Sequence, residues 1–146
     1  MKIIDLRSDT VTHPTPAMRE AMARAEVGDD VYGEDPTVNK LQEMAAELMG
    51  KEAGLYVASG TMSNLVAILT HCQRGQEIIV GHEAHIFHHE VASSAGVAGV
   101  QVRMVMNDER GRIKPADVEA AIRPVRPNYP TTALLCLENT QNRCGG

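Results

Sequence analysis

The 146 residues amount to the length of one globular domain. Hydrophobic residues at 43% and charged ones at 23% exclude a disordered tail or a collagen-like rod, and no apolar run approaches the roughly 18 residues of a transmembrane helix. Fourteen Lys and Arg against nineteen Asp and Glu leave a net charge of −5, with no Trp and one Phe. That balance opposes nucleic-acid binding, which rests on phosphate neutralisation and base stacking.

Met1-Lys2-Ile3-Ile4-Asp5 runs straight into charged residues, without the apolar stretch of a signal peptide. This start predicts a cytoplasmic protein. Cys72, Cys136 and Cys144 are odd in number and lack CxxC spacing, so they read as reduced thiols.

Residues 1–14 form an arm rich in Ser, Asp and Thr. Thr15 then caps a helix with Pro16 at its first position, where the missing N–H costs little. Met18, Ala21, Met22 and Ala25 recur at helical spacing, and Gly28 ends the run. Asp29 to Pro36 is a polar loop whose four carboxylates lack the EF-hand spacing for calcium. Thr37 is the expected cap of the next helix, with Val38, Leu41, Ala45 and Leu48 on one face and Gly50 as its stop.

Leu55-Tyr56-Val57-Ala58 reads as a short strand. It breaks at Ser59-Gly60-Thr61 into a helix expected to carry Leu65, Leu69 and Cys72 on one side and to end by Gly75. Glu77 to Val80 is the next strand. A His-rich segment from His82 to Glu90 follows, helical beyond Ile86, and Val100 to Met106 is a further strand. Arg110-Gly111 turns the chain, Pro115 opens a helix through Ile122, Pro124 to Pro130 is a loop, and Ala133 to Leu137 is a last strand. Alternating strand and helix predict an α/β fold with a mostly parallel sheet flanked by helices. Such sheets bind ligands beyond the carboxyl ends of their strands, which singles out Ser59-Gly60-Thr61, Gly81 to His85, and Glu138 to Asn142.

Ser59-Gly60-Thr61 combines a helix start with a glycine that lets backbone approach an anion. Its structural alternative is a plain turn and cap, and neither nucleotide-binding glycine pattern is present. His85 and His89 stand four apart among His82, His88, Glu83 and Glu90, so a zinc site is conceivable. His82-Glu83-Ala84-His85 nevertheless has the wrong spacing for HExxH, and no metal is expected. A flat imidazole at His85, just past a strand, could stack on a planar cofactor.

These segments resemble the low-specificity L-threonine aldolases, within the pyridoxal-phosphate-dependent family that includes β-eliminating lyases. The matching stretches are Asp5 to Thr12, Val27 to Val38, Ser59-Gly60-Thr61, Ala84-His85 and Leu137 to Thr140, in order along essentially the whole chain. The resemblance implies the aspartate-aminotransferase-like fold, PLP fold type I, in homo-oligomers (dimers or tetramers). Residues 1–50 would be the N-terminal arm and helices, and residues 51–146 the first part of the PLP-binding large domain. It further implies that Gly60 and Thr61 hold the phosphate of pyridoxal 5'-phosphate. His85 would stack on the ring and is a candidate base, as is bound water. Ser8 would bind the substrate carboxylate, and Tyr32 would form part of the site wall.

The implied reaction is cleavage of L-threonine or L-allo-threonine to glycine and an aldehyde. A β-eliminating lyase, or a phosphate-binding module without chemistry, are the alternatives. Lys2, Lys40, Lys51 and Lys114 do not occupy the family's Schiff-base position, which is expected beyond residue 146 together with the ring-nitrogen aspartate. The chain thus reads as an N-terminal portion, inactive by itself and prone to self-association. Asn128 stands where many members carry a histidine that recognises the substrate hydroxyl, and Gln141 replaces a frequent histidine.

Overall fold

A computed structural model describes residues 3–5 and 8–144. Met1, Lys2, Leu6, Arg7, Gly145 and Gly146, which enter the arm, its motif and the chain end read above, lie outside the described residues. Residues 1–56 make one compact unit and residues 57–146 another.

In the first unit a 3-10 turn at Asp9–Val11 precedes α1 (Pro16–Arg24). Thr15 caps α1 by accepting the Met18 N–H at 3.2 Å, as the Thr-Pro pair predicts. The helix stops at Arg24, before Gly28. Gly28 serves a different purpose: a Cβ there would collide with the Glu34 carbonyl, so the loop from 28 to 35 closes only around a glycine. A second 3-10 turn, Asp30–Tyr32, ends at Gly33 with φ +68°.

The cap of α2 (Pro36–Met49) is Asp35 and not Thr37. Pro36 takes the first helical position, which leaves the residue before it to cap. Asp35 Oδ1 accepts from Thr37 N–H at 3.0 Å and Val38 N–H at 2.9 Å, and its Oδ2 from Gly28 N–H at 3.1 Å. The Thr37 hydroxyl instead donates to the Glu26 carbonyl at 2.5 Å. The expected apolar face of α2 is also corrected. Leu41 and Leu48 are 50% and 85% exposed, and the residue it buries is Ala46. Gly50 ends the helix at φ +60° as expected.

The second unit is α/β. In order come α3 (Gly60–His71), β1 (Glu77–Gly81), α4 (His85–His88), α5 (Ser93–Gly96), β2 (Gln101–Val105), α6 (Pro115–Ala121) and β3 (Thr132–Leu135). These three strands are parallel, in the order β2-β1-β3. The run Leu55 to Ala58 is not a strand. None of its residues pairs with the sheet, and Leu55 and Tyr56 are largely exposed.

Alternate side chains of β1 feed two cores. Ile78 and Val80 pack with Ile68 of α3 and with Ala84, Ile86, Ala98 and Val100. Ile79 packs on the opposite face with Val105 and Ala121, the latter from α6. The inward face of α3 is Leu65, Ile68 and Cys72, whereas Leu69 is half exposed. Among the described residues no helix is long and apolar enough to cross a membrane.

Candidate functional site

Parallel strands place all their carboxyl ends at one edge of the sheet, where the segments after β1 and β3 converge. A cleft of about 370 Å³ opens there, lined by Asn64, Ile68 and His71 of α3, by His85, and by Leu135 and Glu138 at the end of β3. A second cleft of about 380 Å³ lies beside it, with Asn107, Gly111, Arg112 and Gln141 in its wall. Cys136 borders both. Burial pushes its thiol up to about 11, helped by the neighbouring Cys72, so it is a protonated wall group at neutral pH and no nucleophile.

His85 is the first residue of α4 and is held at both ends. The residue before it, Ala84, offers no capping side chain. The missing acceptor arrives from β3: Glu138 Oε2 accepts the His85 backbone N–H at 2.8 Å, while Glu138 Oε1 accepts from Asn142 N–H at 2.8 Å. At the ring end, His85 Nδ1 lies 2.9 Å from Glu90 Oε1, and the Glu90 carboxylate is fully buried. Asn64 Nδ2 donates to the same oxygen at 2.6 Å. Glu90 therefore ties His85 to α3 one turn beyond its start.

That helix start is open. Ser59 accepts the Met62 N–H at 3.1 Å, and Gly60 and Thr61 N–H find no acceptor among the described residues. A Cβ at Gly60 would meet nothing within 4 Å, and its φ is not in the left-handed region, so neither backbone nor packing demands a glycine. Two free N–H groups at the positive end of a helix, with open space before them, suit an anion. Gly60 and Thr61 line neither cleft; the 40% exposed His85 imidazole is linked to the same helix through Glu90 and Asn64, so the donor set, a helix start and an imidazole, suits in kind a planar cofactor that bears a phosphate.

Two further histidines, His82 and His88, are engaged by main-chain groups. His82 Nδ1 accepts the Asn107 N–H at 2.9 Å, and His88 Nε2 lies 2.7 Å from the His82 carbonyl. The His85 and His89 rings sit 5.2 Å apart at a tilt. Among the described residues no group of three or more His, Cys, Asp or Glu is disposed to hold a metal ion. Gln141 is buried and structural. Its Nε2 donates to the Glu83 carbonyl at 3.1 Å and its Oε1 accepts from Arg143 and Cys144 N–H at 2.7 and 2.9 Å. Asn128 is exposed in the turn that leads into β3, at the sheet edge opposite His85, and lines neither cleft. Ser8 and Tyr32 belong to the first unit: the Ser8 hydroxyl lies 2.8 Å from that of Thr10, and Tyr32 is 77% exposed in its 3-10 turn.

The β-eliminating lyase family matches residues 5–146. The chain belongs to this family. It is 50% identical over its whole length to the low-specificity L-threonine aldolase 1 of Arabidopsis thaliana, covering 42% of that protein. It is 50% identical over 96% of its length to the low specificity L-threonine aldolase of Escherichia coli strain K12, again covering 42%. With the Saccharomyces cerevisiae protein of that name it shares 40% identity over 93% of its length, covering 36% of the relative. The chain thus spans about two-fifths of the length of these curated relatives, and the α/β unit with its parallel sheet is an incomplete version of the lyase fold.

Glu90, Asn64 and Glu138 are the site residues that sequence reasoning missed in these roles. Each is an ordinary polar residue whose partner lies between 5 and 53 positions away. Only the acidic residue ending the β3 segment carried a signal, since strand ends of parallel sheets are where ligands bind.

Proposed function

We propose that the protein carrying this chain is a pyridoxal-phosphate-dependent aldehyde-lyase that splits L-threonine or L-allo-threonine into glycine and an aldehyde. The observation that carries this reading is His85, fixed at backbone and ring, in a cleft at the carboxyl edge of a parallel sheet and tied through Glu90 to Asn64, one turn into α3. The sequence identity to proteins named low-specificity L-threonine aldolases supports it.

On this reading Gly60 and Thr61 bind the cofactor phosphate through their free N–H groups. His85 lies against the ring. When bound, the cofactor supplies the electron sink that lets the bond between the α- and β-carbons break. His85 is the candidate base for the substrate's β-hydroxyl proton, a task suited to an imidazole near neutral pH. Ser8 binds the substrate carboxylate and Tyr32 walls the site, both on the strength of the resemblance. Asn128 takes no part in the cleft around His85. The lysine that carries the cofactor is not among the cleft residues, since Lys114, the sole lysine after residue 56, precedes α6 at its N-cap. The working form is a homo-oligomer, as the family resemblance implies, and we assign it to the cytoplasm.

The test is to incubate the full-length protein with pyridoxal 5'-phosphate and L-threonine and to quantify products. Glycine and acetaldehyde in equal amounts support the aldolase reading. Ammonia with a keto acid would replace it with β-elimination, and cofactor binding without turnover would reduce it to a binding module.

A further inference from the structure

We propose that Glu90 is a positioning residue that locks His85 in the Nδ1–H tautomer, leaving Nε2 as the acceptor available to substrate; the catalytic consequence rests on the function proposed above. The Glu90 side chain has no exposed surface, yet neither of its donors is a cation of the Arg or Lys type. Its contacts are the Asn64 amide at 2.6 Å and His85 Nδ1 at 2.9 Å, both on Oε1, and Oε2 has no partner among the described residues. Burying a carboxylate on so few hydrogen bonds is costly. A purely structural ion pair would be expected to bring a guanidinium, as Glu77 does with Arg123 elsewhere in this unit.

The chain also adopts an unfavourable backbone to present this group. Val91 and Ala92, directly after Glu90, stand at φ +54° and +53°. Left-handed geometry is a genuine outlier for a β-branched residue. Val91 is almost wholly exposed, so its own packing does not hold it there. Such strain persists where surrounding contacts over-determine it, and it concentrates at functional sites.

The chemical consequence follows from donor counting. With Glu90 ionised, its carboxylate only accepts hydrogen bonds, and at 2.9 Å the hydrogen of the contact then sits on His85 Nδ1. In a neutral imidazole Nε2 is then a bare acceptor. Orientation of one ring nitrogen through the bond made by the other is a general device for tuning histidines. His88 is bound instead to a main-chain carbonyl, and His82, whose Nδ1 accepts a main-chain N–H, meets only the partly exposed carboxylate of the adjacent Glu83 at 3.4 Å, so neither has a fully buried carboxylate partner.

The experiment reads the ring directly in the cofactor-free full-length protein. Two-dimensional 15N spectra of histidine-labelled protein, above the pH at which the imidazole titrates, are assigned by the signal missing in His85→Gln. We expect a protonated Nδ1 and an unprotonated Nε2 in the wild type, and loss of that fixed pattern in Glu90→Ala. A wild-type ring protonated at Nε2 overturns the proposal without any variant having to fold. So does an unchanged Nδ1–H ring in a folded Glu90→Ala protein. In the loaded enzyme Glu90→Ala should lower kcat roughly 10- to 100-fold with KM moved less than about threefold, while Glu90→Gln, which keeps an acceptor oxygen, should restore the tautomer. If the wild type yields neither glycine nor aldehyde, the aldolase reading fails while the tautomer result stands on its own.

Discussion

The Glu138 carboxylate accepts the backbone N–H of His85 at 2.8 Å, across 53 positions of sequence. It is the cap that α4 lacks locally, delivered by the segment after β3. Helix starts leave N–H groups unpaired, and a charged acceptor there is worth more than a neutral one. Glu138→Ala should therefore cost about 1–3 kcal/mol of stability in urea unfolding. It should also loosen the His85 ring, seen as exchange broadening of its NMR signals. A variant with wild-type stability and a sharp His85 signal would show that the contact holds nothing.

Much of the second unit was legible in the sequence, because its signals are local. The runs Glu77 to Val80, Val100 to Met106 and Ala133 to Leu137 became β1, β2 and β3, the last two ending one and two residues early, and Ser59 capped α3 as a serine before a helix should. The misreadings have specific causes. Thr37 looked like a cap until Pro36 was given the first helical position, which passes the role to Asp35. Leu55 to Ala58 has strand composition, but strand formation depends on a ladder partner that no residue pattern reveals. Leu69 and Ile68 are adjacent apolar residues, and only the direction of the sheet decides that Ile68 is the buried one. His85 could be picked out by its place after a strand. Glu90 could not, because an acidic residue in a His-rich segment reads as a solvated face until the fold buries it.

Gly60 separates binding from folding. Its missing Cβ is not required by neighbours or by φ, so a larger side chain should leave the fold intact while filling the space before the free N–H groups. Gly60→Val is expected to change the melting temperature little. It should weaken pyridoxal 5'-phosphate retention by at least about tenfold, equivalent to about 1.4 kcal/mol, measured by equilibrium dialysis of the full-length protein. Equal retention by both proteins would remove Gly60 from the phosphate site.

At the opposite edge of the sheet, Glu77 is fully buried at the first position of β1. Arg123 Nε lies 3.0 Å from both of its oxygens, and Gln101 Nε2 donates at 2.7 Å. This cluster fastens the segment after α6 to the strand that organises both cores. Removing the cation leaves a buried charge with neutral partners and Arg103 at 4.0 Å. Arg123→Ala should cost about 3–5 kcal/mol, whereas Glu77→Gln combined with Arg123→Met should recover a large part of that loss. Chemical denaturation of the three variants measures both effects.

Asp35 gives the first unit a pH dependence. The N–H of Val38, followed by those of Gly28 and Thr37, holds its carboxyl below the ordinary value of 3.8. A group whose folded value is depressed stabilises the fold above its unfolded value. That contribution fades as pH falls through the folded value. Asp35→Asn can still cap α2 but carries no charge to lose. The stability gap between the wild type and this variant should be widest above pH 4 to 5 and should close on acidification, as followed by circular dichroism melts. A gap that stays constant down to pH 2 would assign the effect of the substitution to packing alone.

Val91 offers the converse case, a residue whose replacement should stabilise. At φ +54° and nearly full exposure it gains nothing from its side chain in the folded state. Glycine adopts this geometry freely, but it also enlarges the unfolded ensemble, which offsets part of the relief. The net expectation for Val91→Gly is a gain of about 1 kcal/mol, read as a higher urea midpoint at unchanged slope. Proline cannot reach a positive φ, so Val91→Pro should displace Glu90 and release the His85 ring along with it. If Val91→Gly destabilises the protein by a similar amount instead, the left-handed turn after Glu90 is not the conformation the chain adopts, and the support it lends to the buried carboxylate falls with it.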